Sequence, residues 1–264
     1  MSRAVAIGMA ALVAGLLLGG PAFGGVITKV YVCSAGSAAE NTTISNLLTA
    51  RGYTVTIGVT PSALTSAVDL STYAGVLLNM TNSPAIDMQD SGETLLKNFV
   101  QAGGGLVTGE WVAWNSSNCQ ILKTILPVLA ENTKYIPSSA NQTYTQVTAD
   151  AVMNKNLGTT VTFTPTSAAG YGTQLTAQNG ATVFYSGSAG GSGVVGWDNV
   201  GGASGGAVVS FGSLFGATTF GSANYKTLLG NAMEWVAPTP EPATLTLLAV
   251  GGLGVLMRSR RRRA

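Results

Sequence analysis

Short apolar runs alternate with helical patterns in the first half of this 264-residue chain, and that order constrains the fold more than any other feature. The apolar runs cover residues 26–33, 53–58, 75–79 and 106–109. Ile44, Leu47 and Leu48 lie at helical spacing after the first run, and residues 87–102 carry a second helical stripe before the last. A β-α-β-β-α-β order predicts an α/β three-layer sandwich, with a mostly parallel sheet and helices on both faces.

The second half of the chain has a different pattern. Residues 119–130 have the composition of a helix interrupted at Pro127. Four strand-like runs follow between glycine-rich turns, at residues 160–165, 181–187, 193–198 and 206–212. Residues 191–196 fit the letters of a dinucleotide loop, but they lead into a strand rather than a helix, which favours a turn. Residues 222–237 predict a closing amphipathic helix.

The first 24 residues have the three parts of a secretory signal peptide. Arg3 supplies the positive end, residues 5–18 form the apolar stretch, and Ala22-Phe23-Gly24 offers small residues for a signal peptidase. We therefore predict a signal helix at 1–24, cleaved after Gly24, and a body at 25–237. A buried first helix is the alternative interpretation.

The last 27 residues, 238–264, form a separate segment with its own chemistry. Pro240, Glu241 and Pro242 give an extended turn, and residues 243–257 follow without a charge. As a helix this run is about 22 Å long, against a hydrocarbon core of about 30 Å, so it predicts a short transmembrane helix. An arginine cluster then retains the C-terminal end on the cytoplasmic side; it comprises Arg258, Arg260, Arg261, Arg262 and Arg263.

This order of parts resembles the PEP-CTERM sorting signal, and Pro240, Glu241 and Pro242 carry the match. The resemblance implies export through the action of signal peptidase, transient membrane retention through the C-terminal helix, and cleavage near the Pro-Glu-Pro by an exosortase. It predicts a membrane-anchored precursor that becomes a cell-surface or extracellular protein. An ordinary single-pass anchor is the alternative.

The composition of the body excludes several classes of function. The chain has no histidine, which removes every histidine-based catalytic base and every imidazole metal ligand. Six of the 13 basic residues lie in the end segments, so the body is slightly acidic and has no basic patch. Nucleic acid is therefore excluded as a partner. Neither a cofactor nor a metal site is predicted.

Several phrases of the body resemble the class I glutamine amidotransferase-like fold, a flavodoxin-like arrangement, and within it the ThuA-like group. These phrases are YAGVLLN, FVQAGGGLVTGEWVAW, GGAVVSFGSLFG and NYKTLLGNAMEWV. The resemblance implies a nucleophilic cysteine on a sharp elbow after the GGG-strand, and a nearby histidine in the ThuA-like group. Glu110 or Trp111 stands at that elbow, depending on a one-residue ambiguity, so we expect no enzymatic activity.

The carboxyl ends of the predicted strands define a candidate ligand cleft, since ligands of open α/β sheets gather there. Its residues are Asn79, Glu110, Trp111 and Trp114. The tryptophans are candidates for sugar stacking or for packing. Cys33 and Cys119 form a possible disulfide in an oxidising compartment; two separate structural thiols, or a nucleophile, are the alternatives.

The sequence thus favours an exported protein with a non-catalytic binding or structural body, linked through the PEP-CTERM resemblance to extracellular polysaccharide. The alternative is a secreted hydrolase-like enzyme that uses Glu110 together with Asp198 or Asn79.

Overall fold

A computed structural model describes residues 28–81, 88–114, 119–129, 134–168 and 170–238. The predicted signal helix, the Pro-Glu-Pro motif, the short transmembrane helix and the arginine cluster lie outside the described residues. Among the helices described, none has the length and apolar character that crossing a membrane requires.

The described residues form one mixed sheet of nine strands, in the order β2-β1-β3-β4-β9-β8-β7-β5-β6. The strands are β1 (Lys29–Ser34), β2 (Thr54–Ile57), β3 (Gly75–Asn79), β4 (Gly105–Thr108), β5 (Gln142–Gln146), β6 (Thr160–Phe163), β7 (Thr182–Gly187), β8 (Ser192–Trp197) and β9 (Val208–Phe211). All five residues of β3 are buried, as a central strand covered on both faces requires.

The sheet changes character at β9. Strands β2, β1, β3, β4 and β9 pair in parallel, as the sequence pattern predicts for the first half. Beyond β9, the pairs β9–β8, β8–β7, β7–β5 and β5–β6 are all antiparallel. The expectation of a mostly parallel sheet is therefore wrong for the second half. There the short turn at residues 188–191 joins β7 to β8, and such a turn can connect only antiparallel strands.

Three α-helices cover the sheet: α1 (Ala38–Thr49), α2 (Asp90–Gln101) and α3 (Ala223–Val236). Helix α1 begins with a capping box, in which Ser37 accepts from the Glu40 N–H and the Glu40 carboxylate accepts from the Ser37 N–H. Gly52, at φ 89°, lies just beyond its end in the left-handed region. Ser222 caps α3 through the N–H of Tyr225.

Two apolar clusters lie on opposite faces of the sheet and confirm its layering. One joins α1 and α3 to the sheet and includes Ile44, Leu48, Leu228, Leu229, Met233, Val32 and Leu77. The other joins α2 to the opposite face and includes Leu96, Val100, Val76, Leu78 and Leu106. Alternate residues of β1 and β3 thus serve different clusters, as the two-residue period of a strand dictates.

The last helix also fixes the end of the body. The hydroxyl of Tyr53 donates to the Ala237 carbonyl over 2.6 Å in a buried hydrogen bond. Ala237 is only 3% exposed and lies near Gly75, the first residue of β3. The chain therefore leaves the body at the amino-terminal edge of the parallel strands.

The predicted helix at 119–130 is wrong. Only a 3₁₀ turn forms there, at Leu122–Ile125. The buried carboxylate of Glu93 accepts from the N–H groups of Ile121 and Leu122 over 2.7 and 2.9 Å. These bonds satisfy the start of a short turn, and Pro127 removes the N–H with which a helix would continue.

Gly105 permits the close approach of β4 to α3, and this makes a test of the packing. A Cβ there would lie 2.4 Å from the Val236 carbonyl oxygen. We expect Gly105→Ala to lower the free energy of unfolding by about 1–3 kcal/mol, measured by urea denaturation. Gly158→Ala is the control, since a Cβ at Gly158 meets nothing within 4 Å; equal stability of the two variants would contradict the close approach of Gly105 to Val236.

Candidate functional site

The carboxyl ends of β1, β3, β4 and β9 meet at one edge of the sheet, as predicted. Asn79 ends β3 and donates from Nδ2 to Ser34 Oγ, at the end of β1, over 3.3 Å. Glu110 follows β4, and its backbone N–H donates to the Ser213 carbonyl, beyond β9, over 3.1 Å. The structure therefore brings Asn79 and Glu110 to a common edge, where both form hydrogen bonds with other residues of the protein.

Asn79 has a structural role at this edge. It is fully buried, and its Nδ2 also donates to the Phe215 carbonyl over 3.3 Å. Its Oδ1 accepts from both the N–H and the hydroxyl of Thr81. Because the donors and the acceptor of the amide are engaged, Asn79 fixes the end of β3 against the loop after β9.

Glu110 is the most perturbed group at this edge. Its side chain has no exposed surface, and Oε1 accepts a hydrogen bond from the hydroxyl of Thr173. Oε2 accepts no hydrogen bond from the residues that the structure describes. Burial raises the pKa of the carboxyl group from 4.5 to about 8, while hydrogen bonds from Thr173 and the Trp111 N–H act in the opposite direction. Near neutral pH the carboxyl group is therefore mainly protonated.

Trp111 occupies the elbow after β4. Its φ of 76° places it in the left-handed region, which a bulky side chain rarely adopts. The strained position of the turn is therefore Trp111 and not Glu110. The indole is 2% exposed and lies in the apolar cluster on the α2 side. Its Nε1 finds no hydrogen-bond partner among the described residues.

Three aromatic rings run outward from this elbow. The Trp111 and Trp114 rings are in edge contact with centroids 5.8 Å apart, and Trp114 and Tyr135 repeat that geometry at 5.8 Å. Exposure increases along the run, from buried Trp111 through half-buried Trp114 to Tyr135 at 48%. Trp111 is therefore a packing residue of the core, while the outer rings reach the surface.

A buried cluster of hydroxyl groups lies beside Glu110 on the other face. Ser213 Oγ bonds to the hydroxyls of Tyr144 and Tyr225 at 2.8 and 2.6 Å. Burial raises the pKa of both phenols, and the charge of Glu110 raises that of Tyr144 further. Sequence reasoning missed these residues and Thr173, because they come from distant segments with no shared motif.

Cys33 and Cys119 are both buried and are not joined by a disulfide. Cys33 lies on β1, and β3 separates that strand from β4, after which the segment with Cys119 follows in the chain. Burial raises the pKa of the Cys33 thiol to about 12, which disfavours the thiolate that a nucleophile needs. The disulfide prediction is therefore corrected, and the structural-thiol alternative describes Cys33.

Asp198 is not part of this edge. It is exposed and follows β8, whose last residue Trp197 pairs with Val208 at the start of β9. It therefore lies at the opposite edge of the sheet from Glu110, and the hypothesis that joined these two carboxylates is wrong. Within the described ranges, no group of three or more His, Cys, Asp or Glu side chains is placed to hold a metal ion.

Comparison with protein families assigns the segment after Ala237. Residues 238–262 match the PEP-CTERM protein-sorting motif. The PEP-CTERM match confirms the resemblance drawn from Pro240, Glu241 and Pro242. It supports an exported protein that is processed at the membrane by an exosortase. No curated protein matches the chain in sequence.

Solved structures resemble the body that precedes the PEP-CTERM motif. A cytoplasmic protein from Salmonella typhimurium superposes with a TM-score of 0.59 at 14% identity, over 80% of this chain and 100% of that one. A ThuA-like protein from Parabacteroides merdae gives 0.57 at 12%, over 80% and 90%. A glutamine amidotransferase from Thermotoga maritima gives 0.53 at 8%, over 81% and 99%. These likenesses confirm the predicted fold relationship.

Burial of Glu110 predicts a pH dependence of stability. The native pKa of about 8 exceeds the ordinary 4.5, so the native state holds the extra proton between these values. The free energy of unfolding should therefore fall as pH rises from about 5 to about 8, by up to about 1.4 kcal/mol per pH unit from this group. Glu110→Gln should remove that component, as measured by urea denaturation at each pH.

The exposed carboxylate of Asp198 supplies the control for this experiment. Asp198→Asn should retain the pH slope of the wild type. If the wild type and Glu110→Gln lose stability equally between pH 5 and pH 8, the conclusion that Glu110 is protonated in the native state is wrong.

Proposed function

We propose that this chain is an exported, exosortase-processed protein of the cell surface or extracellular space, and that its α/β body is a non-catalytic module that binds extracellular polysaccharide. The PEP-CTERM match at residues 238–262 supports the export and the processing. The absence of catalysis rests on one observation, which is the buried Trp111 at the elbow after β4.

Acyl transfer needs a nucleophile and a group that takes its proton. Trp111 offers neither, since its indole N–H is only a donor and is buried in an apolar cluster. The chain has no histidine, and the thiol of Cys33 is held neutral by burial. We therefore infer that the turn after β4 has the backbone shape of an elbow but carries neither a nucleophile nor a proton acceptor for acyl transfer.

Glu110 supports the second candidate, a secreted hydrolase-like enzyme. A carboxyl group whose pKa is raised to about 8 resembles a general acid near neutral pH. Against this candidate stand its complete burial, the hydrogen bond from Thr173 and the position of Asp198 at the opposite edge. A substrate would have to enter the folded interior before it could reach the carboxyl group.

The two candidates differ in measurable turnover. We expect the purified, processed protein to show no hydrolysis of chromogenic glycosides, esters or amides above a buffer blank. Glu110→Gln should leave that result unchanged, because the buried carboxyl group contacts no substrate. Reproducible turnover in the wild type that disappears in Glu110→Gln, while Asp198→Asn keeps it, would overturn the non-catalytic proposal.

Composition supports a neutral, hydroxylated ligand for the body. Charged residues make up only 9% of the chain, so hydroxyl and amide groups supply most of the polar surface. Such groups form hydrogen bonds with sugar hydroxyls without the desolvation cost of a buried charge. A polysaccharide fits these conditions better than an anionic polymer, for which clustered Lys and Arg are needed.

The Pro-Glu-Pro motif provides the test of processing. Replacing Pro240, Glu241 and Pro242 by alanines should leave an uncleaved precursor in the membrane fraction, while Thr239→Ala should be processed normally. Intact-protein mass spectrometry of the membrane and released fractions measures the outcome. Released wild-type protein that still carries Arg260 to Arg263 would contradict exosortase cleavage.

A further inference from the structure

The aromatic run from Trp111 to Tyr135 ends in a ring that reaches the surface of the body. Tyr135 is 48% exposed, and its inner edge contacts Trp114 with centroids 5.8 Å apart. Trp114 in turn contacts the buried Trp111. The exposed ring is therefore supported from below by two further rings, unlike an isolated apolar side chain on a surface.

Backbone hydrogen bonds hold Tyr135 in place. Ile136 N–H donates to the Gly172 carbonyl over 2.6 Å, and Tyr171 N–H donates to the Ile136 carbonyl over 3.0 Å. Gln174 N–H donates to the Lys134 carbonyl over 2.8 Å, and Tyr135 itself forms a bridge with Thr173. Because neighbours on both sides of Tyr135 are fixed, a ligand that contacts the ring encounters a preorganised surface.

The base of the run carries two unfavourable features. Trp111 has the strained φ of 76°, and its Nε1 finds no partner among the described residues. Both features are unfavourable in general. Strain of this kind persists only where the surrounding structure holds it in place, and the Trp111 ring lies in edge contact with Trp114.

A side-chain hydrogen bond adds to this backbone framework. Lys134 Nζ donates to Thr176 Oγ1 over 3.2 Å, which joins the segment that contains Tyr135 to the segment that contains Thr173. The exposed aromatic face of Tyr135 matches one side of a pyranose ring. One face of such a ring is lined by C–H groups and is apolar, while the hydroxyls project from its rim.

The position of the run in the fold leaves it accessible. Trp111 and Trp114 follow the carboxyl end of β4, whereas the chain leaves the body through Ala237 at the amino-terminal edge. The aromatic surface and the exit of the tail therefore lie at opposite edges of the parallel strands.

We infer that Tyr135, supported by Trp114, is a carbohydrate-binding contact that stacks on the apolar face of a pyranose ring. The inference rests on the polysaccharide-binding function proposed above and assigns its site. Trp114 is the neighbouring fluorophore, so binding at this site should change tryptophan emission.

The experiment uses the processed protein. An array of hexopyranose oligosaccharides first identifies the oligosaccharide that binds best. Fluorescence titration with that oligosaccharide then measures the affinity of each variant. We expect Tyr135→Ala to weaken binding about tenfold. Tyr135→Phe, which keeps the ring, should bind within about threefold of the wild type. Ile57→Ala is the matched control, since Ile57 is a 42% exposed apolar residue on β2. It should bind like the wild type.

Thermal unfolding of each variant shows that the fold is intact, which we expect because Tyr135 is nearly half exposed. If the wild type binds no oligosaccharide and no fluorescence change occurs, the polysaccharide function and this site are both overturned. If the wild type binds and Tyr135→Ala binds equally well, the function stands and the site is overturned. Weakened binding by Tyr135→Phe as well as Tyr135→Ala would contradict stacking as the source of affinity.

Discussion

The pairing of β4 with β9 is the interaction on which the rest of the fold depends. It joins the parallel half to the antiparallel half through Leu106↔Val208, Val107↔Val209 and Thr108↔Ser210. The hydroxyls of Thr108 and Ser210 also bond to each other at 2.9 Å in the interior. Because the two strands run side by side, their following loops meet, and the Glu110 N–H reaches the Ser213 carbonyl. The buried carboxyl group and the tyrosine cluster around Ser213 are consequences of this register.

Much of the first half could be predicted from local pattern. The run at 75–79 is β3, and the helical stripes lie within α1 and α2, because spacing of apolar residues directly reflects the face that each element buries. Strand β5 was missed, since Tyr144 is the only large apolar side chain in its five residues. Strand direction in the second half was also beyond reach, because apolar alternation fixes which residues face inward and leaves the choice of neighbour to turns and long-range packing.

The sequence predicted the location of the candidate site but not the environment of its side chains. Its location at the carboxyl edge followed from strand order, and Asn79, Glu110, Trp111 and Trp114 are all found there. Sequence could not decide whether these side chains face solvent, since one backbone angle, φ at Trp111, turns the indole into the core. Thr173 and Tyr135 belong to the site only because the 171–174 segment pairs with residues 134–136 and with Gly212. No short motif records such contacts between distant segments.

The hydrogen bond from Tyr53 to Ala237 has a consequence for the length of the tether. Ala237 is held inside the fold, and Glu241 follows only four residues later. At about 3.3–3.6 Å per residue, the two lie at most roughly 14 Å apart even when the chain is fully extended. An enzyme that cuts at this motif would therefore act within roughly 14 Å of the buried Ala237.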